Sequence, residues 1–145
     1  MERGVIPMER YEIIPHTADI GIKAYGKDLK ELFANAAYGM FDIIADLDGL
    51  KSSITVSIKA QAPNREELLV AWLGELLYHF YTKQIIFFDF EIEELTDTRV
   101  KAKASGRSVG ENRNRLKTEI KAVTYHELKI EGKKKRFTAT VIFDI

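Results

Sequence analysis

The chain contains no cysteine among its 145 residues. Disulfide bonds, thiolate nucleophiles and cysteine-ligated zinc are therefore excluded as sources of stability or chemistry. The sequence also lacks any run of about 18 apolar residues, which a membrane-spanning helix would need, and its N-terminus "MERGVIPMER" has no apolar signal-peptide core. These absences favour a protein of the reducing cytoplasm that has no membrane partner.

The sequence has no excess of charge of either sign. Its 22 Lys and Arg are balanced by 22 Asp and Glu, so the net charge is zero with neutral histidines. No overall attraction to nucleic acid, membranes or acidic partners follows from this balance. Phosphate-binding loops, the nucleophile elbow of hydrolases and the HExxH zinc motif are also missing. Any chemistry must therefore depend on single residues that the fold brings together.

Two segments show the apolar spacing of amphipathic helices. Apolar residues recur at i, i+3, i+4 and i+7 over residues 28–45 and again over 64–83. Asp28 and Asn64 stand at the starts of these segments, where a short polar side chain caps exposed backbone N–H groups. The second helix is apolar on more than one face, so we expect it to be the more buried, with Leu76 in the core.

The other segments alternate polar and apolar residues, as strands do. Strands before and between two helices, followed by a run of strands, predict an α+β fold with both helices on a largely antiparallel sheet system. We expect one domain over residues 10–145, after a flexible tail over residues 1–9, and a hairpin turn at "EGKKK" (131–135). The predicted strands cover residues 10–14, 19–26, 52–60, 85–95, 99–107, 117–126, 128–134 and 136–145. Within these, "AVTYHE" (122–127) could instead form a short turn or helix.

Basic residues predominate between positions 99 and 121. Arg99, Lys101 and Lys103 alternate with apolar residues, which places three cations on one exposed strand face. These cations could protect an edge strand against pairing with another chain. They could equally bind RNA phosphates or an acidic partner. The sequence favours neither interpretation.

Carboxylates stand at both ends of the chain. Asp19 follows His16 and Thr17 at the start of one predicted strand, and Asp144 follows the apolar strand "TATVIF" just before Ile145. If the last strand is held in the sheet, a terminal carboxylate of Ile145 would lie beside Asp144, and the two would repel without a cation. Asp19 would complete an oxygen site suited to Ca²⁺, Mg²⁺ or Mn²⁺. The sequence by itself does not show that these strands meet.

Two further polar residues lie in the predicted strand "EIKAVTYHEL". Lys121 alternates onto the same face as Val123, so we expect it to be half-immersed, with its ammonium reaching water or a carboxylate. His126 could transfer protons, although a histidine at such a position is more often structural. Both are candidate functional residues.

Four segments in this order resemble the archease family: "HTADIGIKAYG", "LKELFANAAYGMFDII", "IKAVTYHELKI" and the C-terminal "VIFDI". The resemblance extends from about Tyr11 to Ile145. Archeases are small cytosolic proteins that act as cofactors of the RtcB-type RNA-splicing ligase. The resemblance therefore implies a protein that is not itself an enzyme. It would promote ligase guanylylation and multiple turnover in tRNA splicing and RNA repair.

The resemblance also assigns residues. In the family, the aspartate of the HTAD motif and the C-terminal Asp-Ile pair hold a metal, which implies Asp19, Asp144 and Ile145 in this sequence. We expect Ca²⁺ in crystals, with Mg²⁺ or Mn²⁺ as alternatives. A functional lysine of the family falls on Lys121, which would be presented to the ligase, and His16 would shape the turn that directs Asp19.

Two other classes of function remain open. A self-sufficient metal-dependent phosphoesterase could use Asp19, Asp144 and His126, although hydrolases usually show more titratable groups around their metal. A chaperone or RNA-binding module could use the basic segment 99–121, although a chaperone needs a large exposed apolar surface. The native metal, the oligomeric state and the ligase-binding face are not determined by the sequence.

Overall fold

A computed structural model describes residues 9–16 and 19–145. Most of the predicted tail and Thr17 therefore lie outside the described residues. The predicted α+β fold is confirmed, with two main helices and two antiparallel sheets. The elements are β1 (Tyr11–His16), β2 (Asp19–Gly26), α1 (Leu29–Ile44), β3 (Ile54–Gln61), α2 (Arg65–Lys83), β4 (Ile85–Leu95), β5 (Arg99–Ser108), a short 3₁₀ helix (Gly110–Arg115), β6 (Ala122–Val123), β7 (Lys129–Gly132) and β8 (Phe137–Asp144).

The strands form two separate sheets. The five-stranded sheet has the order β1-β2-β8-β6, and the short strand β7 also pairs with β8. The three-stranded sheet has the order β3-β5-β4. The predicted turn at 131–135 joins β7 to β8, where the Lys133 N–H donates to the Arg136 carbonyl at 3.2 Å. The second and last strands of the domain, β2 and β8, are neighbours in this sheet, and β1 pairs with the outer side of β2.

Both helices begin at the predicted caps. The Asp28 carboxylate accepts the Glu31 N–H at 2.8 Å, and the Asn64 side-chain oxygen accepts the Glu67 N–H at 2.9 Å. Each bond satisfies a backbone donor that has no partner inside the helix. The helix bounds differ from the predicted ones by one residue at most, because these signals are local.

The core lies between the helices and the inner faces of the sheets. Helix α1 packs against β2 and β4, and α2 packs mainly against β3. The Trp72 indole N–H donates to the Phe33 carbonyl at 3.0 Å, so this buried polar group is satisfied and joins the two helices. Leu76 is fully buried, as predicted. No helix in the described part of the chain is long and apolar enough to cross a membrane.

Strand β5 is the central strand of its sheet. It pairs with β3 on one side and with β4 on the other. The interpretation that its cations protect a sheet edge is therefore wrong. Alternation along a strand shows which face is exposed, whereas it carries no information about neighbouring strands.

The strand predicted over residues 117–126 is confirmed only for Ala122–Val123, which pairs with β8, and the alternative of a turn holds at residues 126–127. Before that point the chain follows the end of α1. Leu116 forms a bridge with Ala45, and the Lys117 N–H donates to the Ile44 carbonyl at 2.7 Å. The segment therefore contacts α1 at its start and β8 further on, where the N–H groups of Lys121 and Thr124 donate to the carbonyls of Asp144 and Ile142.

Candidate functional site at one end of the five-stranded sheet

Four strands of the five-stranded sheet bring one row of residues together. His16 of β1 lies opposite Asp19 of β2, which lies opposite Asp144 of β8, which lies opposite Ala122 of β6. The two aspartates from opposite ends of the sequence are thus direct cross-strand partners. Partners in an antiparallel pair point to the same face, with Cβ atoms about 4.5–5.5 Å apart.

The two carboxylates differ in exposure. Asp144 is exposed, whereas Asp19 is half-buried and its Oδ1 atom is shielded from solvent. Two carboxylates on adjacent strands repel each other, and the repulsion grows as water is removed. A cation between them would remove this cost.

An apolar contact flanks the pair on the same face. Gly21 and Ile142 are the next partners along β2 and β8 that point to this face, and Ile142 is only 2% exposed. A Cβ on Gly21 would lie 2.7 Å from Ile142 Cδ1 and 3.7 Å from Ile14 Cβ. A side chain at position 21 would therefore force the end of the Ile142 side chain to shift, so glycine favours the packing of Ile142 across β2.

The backbone of Lys121 is hydrogen-bonded to the backbone of one of the two aspartates. Its N–H donates to the Asp144 carbonyl at 2.7 Å. The expected half-immersion is wrong, because Lys121 precedes β6 and its side chain is exposed. Within the described residues, it forms no ion pair with either aspartate. The ammonium is therefore directed to solvent or to another molecule.

Tyr81 of α2 holds the segment that leads into Lys121. Its hydroxyl donates to the Ile120 carbonyl at 2.7 Å, and Ile120 is fully buried. Burial, and secondly the nearby Glu119 carboxylate, raise the pKa of Tyr81, so the hydroxyl stays a neutral donor. Sequence reasoning did not identify Tyr81, because its partner is a backbone atom of a distant segment.

The candidate histidines occupy different positions. His16 ends β1 directly opposite Asp19, within the row. His126 lies four residues beyond Ala122, a contour length of about 13 Å. Its N–H donates to Thr124 Oγ1 at 3.2 Å, and its Nε2 lies 3.3 Å from a Glu127 carboxylate oxygen. The structure therefore places His16, and not His126, next to the aspartates in the strand register.

The donor atoms of the pair suit a hard cation. Asp19 and Asp144 offer carboxylate oxygens, and Ile145 follows directly with a main-chain oxygen. Calcium, magnesium and manganese prefer such oxygens. Within residues 9–16 and 19–145, no cluster of three or more His, Cys, Asp or Glu side chains could hold a metal. A cation here would therefore need the Ile145 oxygen and water besides the two side chains.

The basic strand face at the other sheet is balanced by acids. Lys103 lies opposite Glu91 and its Nζ is 3.8 Å from Glu93, while Lys101 lies between Glu94 and Lys59. Only part of the predicted basic segment is therefore available to an anionic partner.

Comparisons with known proteins place the chain in a family. The model of the Archease protein family matches residues 11–145. Protein archease of Methanosarcina acetivorans is 40% identical over 141 residues, which cover 94% of this chain and 97% of the relative. That of Sulfurisphaera tokodaii is 34% identical over 139 residues, or 95% of this chain and 100% of the relative.

Two solved structures share the fold. The solution structure of Methanobacterium thermoautotrophicum protein 1598 has a TM-score of 0.76 at 34% identity, over 95% of this chain and 100% of that one. The crystal structure of a Thermotoga maritima archease, described as a possible chaperone, has a TM-score of 0.64 at 22% identity, over 91% of this chain and 94% of that one. At this identity the second structure supports the fold alone. The chain therefore belongs to the archease family.

Proposed function

We propose that this chain is a cytoplasmic protein cofactor that activates an RtcB-type RNA-splicing ligase and is not an enzyme itself. In this role it would promote guanylylation and multiple turnover of the ligase in tRNA splicing and RNA repair. The observation that carries the proposal is the cross-strand pair of Asp19 and Asp144 beside the exposed Lys121. This arrangement offers charge to another molecule without forming a complete catalytic set.

The aspartates and the Ile145 main-chain oxygen would hold one divalent cation, for which Ca²⁺, Mg²⁺ and Mn²⁺ are suitable. When bound, such a cation supplies electrostatic stabilisation of negative charge on phosphate oxygens. Asp144 is exposed and Ile145 is 39% exposed. The site is thus open on the side of β8, where a partner could approach.

Lys121 would act as a phosphate ligand of the ligase complex. Its backbone is fixed by the bond to Asp144, and the preceding carbonyl is fixed by Tyr81. The exposed side chain is therefore attached to a rigid base, which reduces the entropy lost when it binds. Its ammonium would stabilise charge on a transferring phosphoryl group as a point charge.

The other two functions receive less support. A phosphoesterase would need a general base within reach of the metal, and His126 lies in a turn outside the residues of β6 that pair with β8. A chaperone needs a large apolar surface. Among the described residues, the large apolar side chains that are exposed come from several different elements, namely Ile13, Tyr78, Tyr81, Leu116, Tyr125 and Ile145.

The test is guanylylation of purified ligase by GTP, with this protein at a substoichiometric amount. Lys121→Ala should melt and bind metal like the parent protein but slow guanylylation. Lys117→Ala is the matched control, because Lys117 is also exposed and only its backbone makes a described hydrogen bond. Lys121→Arg should restore part of the activity, since a wide guanidinium fits a point-charge site poorly. Full guanylylation with a stable Lys121→Ala protein would contradict the proposed role.

A further inference from the structure

A polar cleft of about 470 Å³ lies where the loop after α1 meets the 3₁₀ helix. Residues 49–51 line one side and residues within 107–115 line the other. Three of the lining residues are cationic and one is anionic. They are Lys51, Arg107, Arg115 and Glu111.

Backbone carbonyls hold both arginines in place. Arg107 Nη1 donates to the Lys51 carbonyl at 3.2 Å. Arg115 Nη1 donates to the carbonyls of Asp46 at 3.2 Å and Asp48 at 2.5 Å. A guanidinium carries about five N–H donors, so each arginine keeps several for a ligand. The two side chains are thus preorganised without being neutralised.

The positive charge of the cleft exceeds its negative charge. Within the described residues, Lys51, Arg107 and Arg115 form no ion pair with a carboxylate. This distinguishes them from Lys103 on β5, which faces Glu91 and pairs with Glu93. Three cations against Glu111 leave an excess that favours a polyanion.

The remaining lining residues indicate which part of a polyanion would bind. They include no aromatic side chain, and thus no platform on which a base could stack. The planar fork of an arginine matches the oxygens of a phosphate group. A ligand would therefore be recognised through its phosphates and not through its bases.

A short stretch of chain connects the cleft to Lys121. Arg115 and Lys121 are six residues apart, so their Cα atoms are separated by no more than about 20 Å. The Asp46 N–H donates to the Arg115 carbonyl at 2.8 Å, which fixes this connection to the end of α1. An extended ligand in the cleft could reach Lys121.

We propose that this cleft binds the phosphodiester backbone of an RNA strand through Lys51, Arg107 and Arg115. The choice of RNA as the polyanion rests on the proposed function, whereas the preference for phosphates rests on the cleft itself. The interaction is independent of base sequence and weakens with salt.

The experiment measures binding of a fluorescent oligouridylate to the protein alone, without ligase, at several salt concentrations. Lys51→Gln is the main variant, because the Lys51 side chain is exposed and makes no described contact. It should weaken binding about fivefold at 0.1 M salt and lower the salt slope by about 0.7, as expected for one phosphate contact on a single strand. Arg107→Gln should do the same. Glu111→Gln should strengthen binding.

Lys103→Gln is the matched control, since it removes the same charge from the neutralised strand face. It should change the affinity by less than about twofold, because Lys103 contacts no phosphate in this proposal. Equal losses for Lys103→Gln and Lys51→Gln would show a response to net charge alone and overturn the proposal. Melting temperatures verify that each variant is folded.

Competition experiments separate the ligand classes. Oligouridylate displaced equally well by polyglutamate at matched charge would show a site for acidic protein, and inorganic phosphate binding without oligouridylate binding would show a small-anion site. Either result would overturn the proposal. Ligase guanylylation is assayed with GTP and without RNA, so Lys51→Gln should support it fully. Failure of RNA binding would thus be distinguishable from failure of the proposed activation.

Discussion

The outer faces of the two sheets arrange charge in opposite ways. On the three-stranded sheet, unlike charges lie across adjacent strands, as Glu91 lies opposite Lys103. On the five-stranded sheet, the like charges Asp19 and Asp144 lie opposite each other. Unlike pairs contribute about 0.2–1 kcal/mol to a sheet, and like pairs destabilise it. The first face therefore stabilises the fold, whereas the second carries a local cost.

The contrast depends on the charge of each residue's cross-strand neighbours. Lys101 of β5 lies opposite the like-charged Lys59 of β3. On its other side it lies opposite Glu94 of β4, which offsets the repulsion between the two lysines. Asp144 has Ala122 as its other neighbour, which offers no such compensation. We therefore propose the cation at the two aspartates and not at the basic strand face, where acids offset the lysines.

The largest expected effect is the loss of the whole fold, and with it both sheet faces. Leu76 is fully buried between the helices and the sheets, so Leu76→Asp would bury a charge without a partner. The cost of several kcal/mol is comparable with the total stability of a domain, about 5–15 kcal/mol. We expect an unfolded protein by circular dichroism. Tyr78→Asp on the same helix is the control and should stay folded, because Tyr78 is 59% exposed. A folded Leu76→Asp variant with unchanged melting would contradict the assigned core.

A metal should act on the aspartate pair and not on the three-stranded sheet. At about one hundred times its Kd, Mn²⁺ or Ca²⁺ would stabilise the protein by about 2.7 kcal/mol and raise its Tm by roughly 5–10 °C. Asp19→Ala and Asp144→Ala should each abolish this rise in a calorimetric scan. Glu91→Gln should retain it. A rise that survives both aspartate substitutions would rule out the site.

Without metal, removing one acidic charge should change the Tm in opposite directions on the two faces. Asp144→Asn removes repulsion and should leave the Tm equal to or above that of the parent. Glu91→Gln removes the acid opposite Lys103 and should lower the Tm slightly. Chelator-treated protein is required for both scans. A lower Tm for Asp144→Asn would show that the aspartate pair is not repulsive in the metal-free protein.

A like-charged pair can also be created on the stabilising face. Lys103→Glu would place a second acid opposite Glu91 and should cost about 0.5–1 kcal/mol. Adding Glu91→Lys should restore most of the loss, because the charges are exchanged. The coupling energy follows from urea unfolding of the two single variants and the double variant. Additive losses would show that the two residues do not interact.

The smallest effect concerns Tyr25, on the outer face of the five-stranded sheet. Its hydroxyl donates to Glu12, and this bond, followed by burial, raises the pKa of Tyr25 to about 12 from 10.0. The bond's contribution to stability is present below pH 10 and is lost as the pH rises to about 12, because only the folded state retains the proton. Tyr25→Phe should lose less stability over this range. Tyrosinate absorbance of the parent protein should show one tyrosine that ionises near pH 12. This step should be absent from the Tyr25→Phe variant.

Local sequence signals were sufficient for the helices and for most strands. Asp28 and Asn64 determine where the helices start because a cap acts within one turn. Periodicity likewise identified the buried face of α2. Neither signal shows which strands lie next to each other. The central position of β5 and the length of β6, which is two residues, therefore could not be predicted from them.

For the site, the sequence by itself determined which residue types are present, and the family resemblance singled out Asp19, Lys121 and Asp144. Only the tertiary structure decided that the two aspartates lie side by side, that the Lys121 side chain is exposed, and that Lys51 joins two arginines in one cleft. The physical reason is that periodicity and capping depend on neighbours within a few residues. Electrostatic environment depends instead on strand pairing and packing between distant segments, which no local pattern specifies.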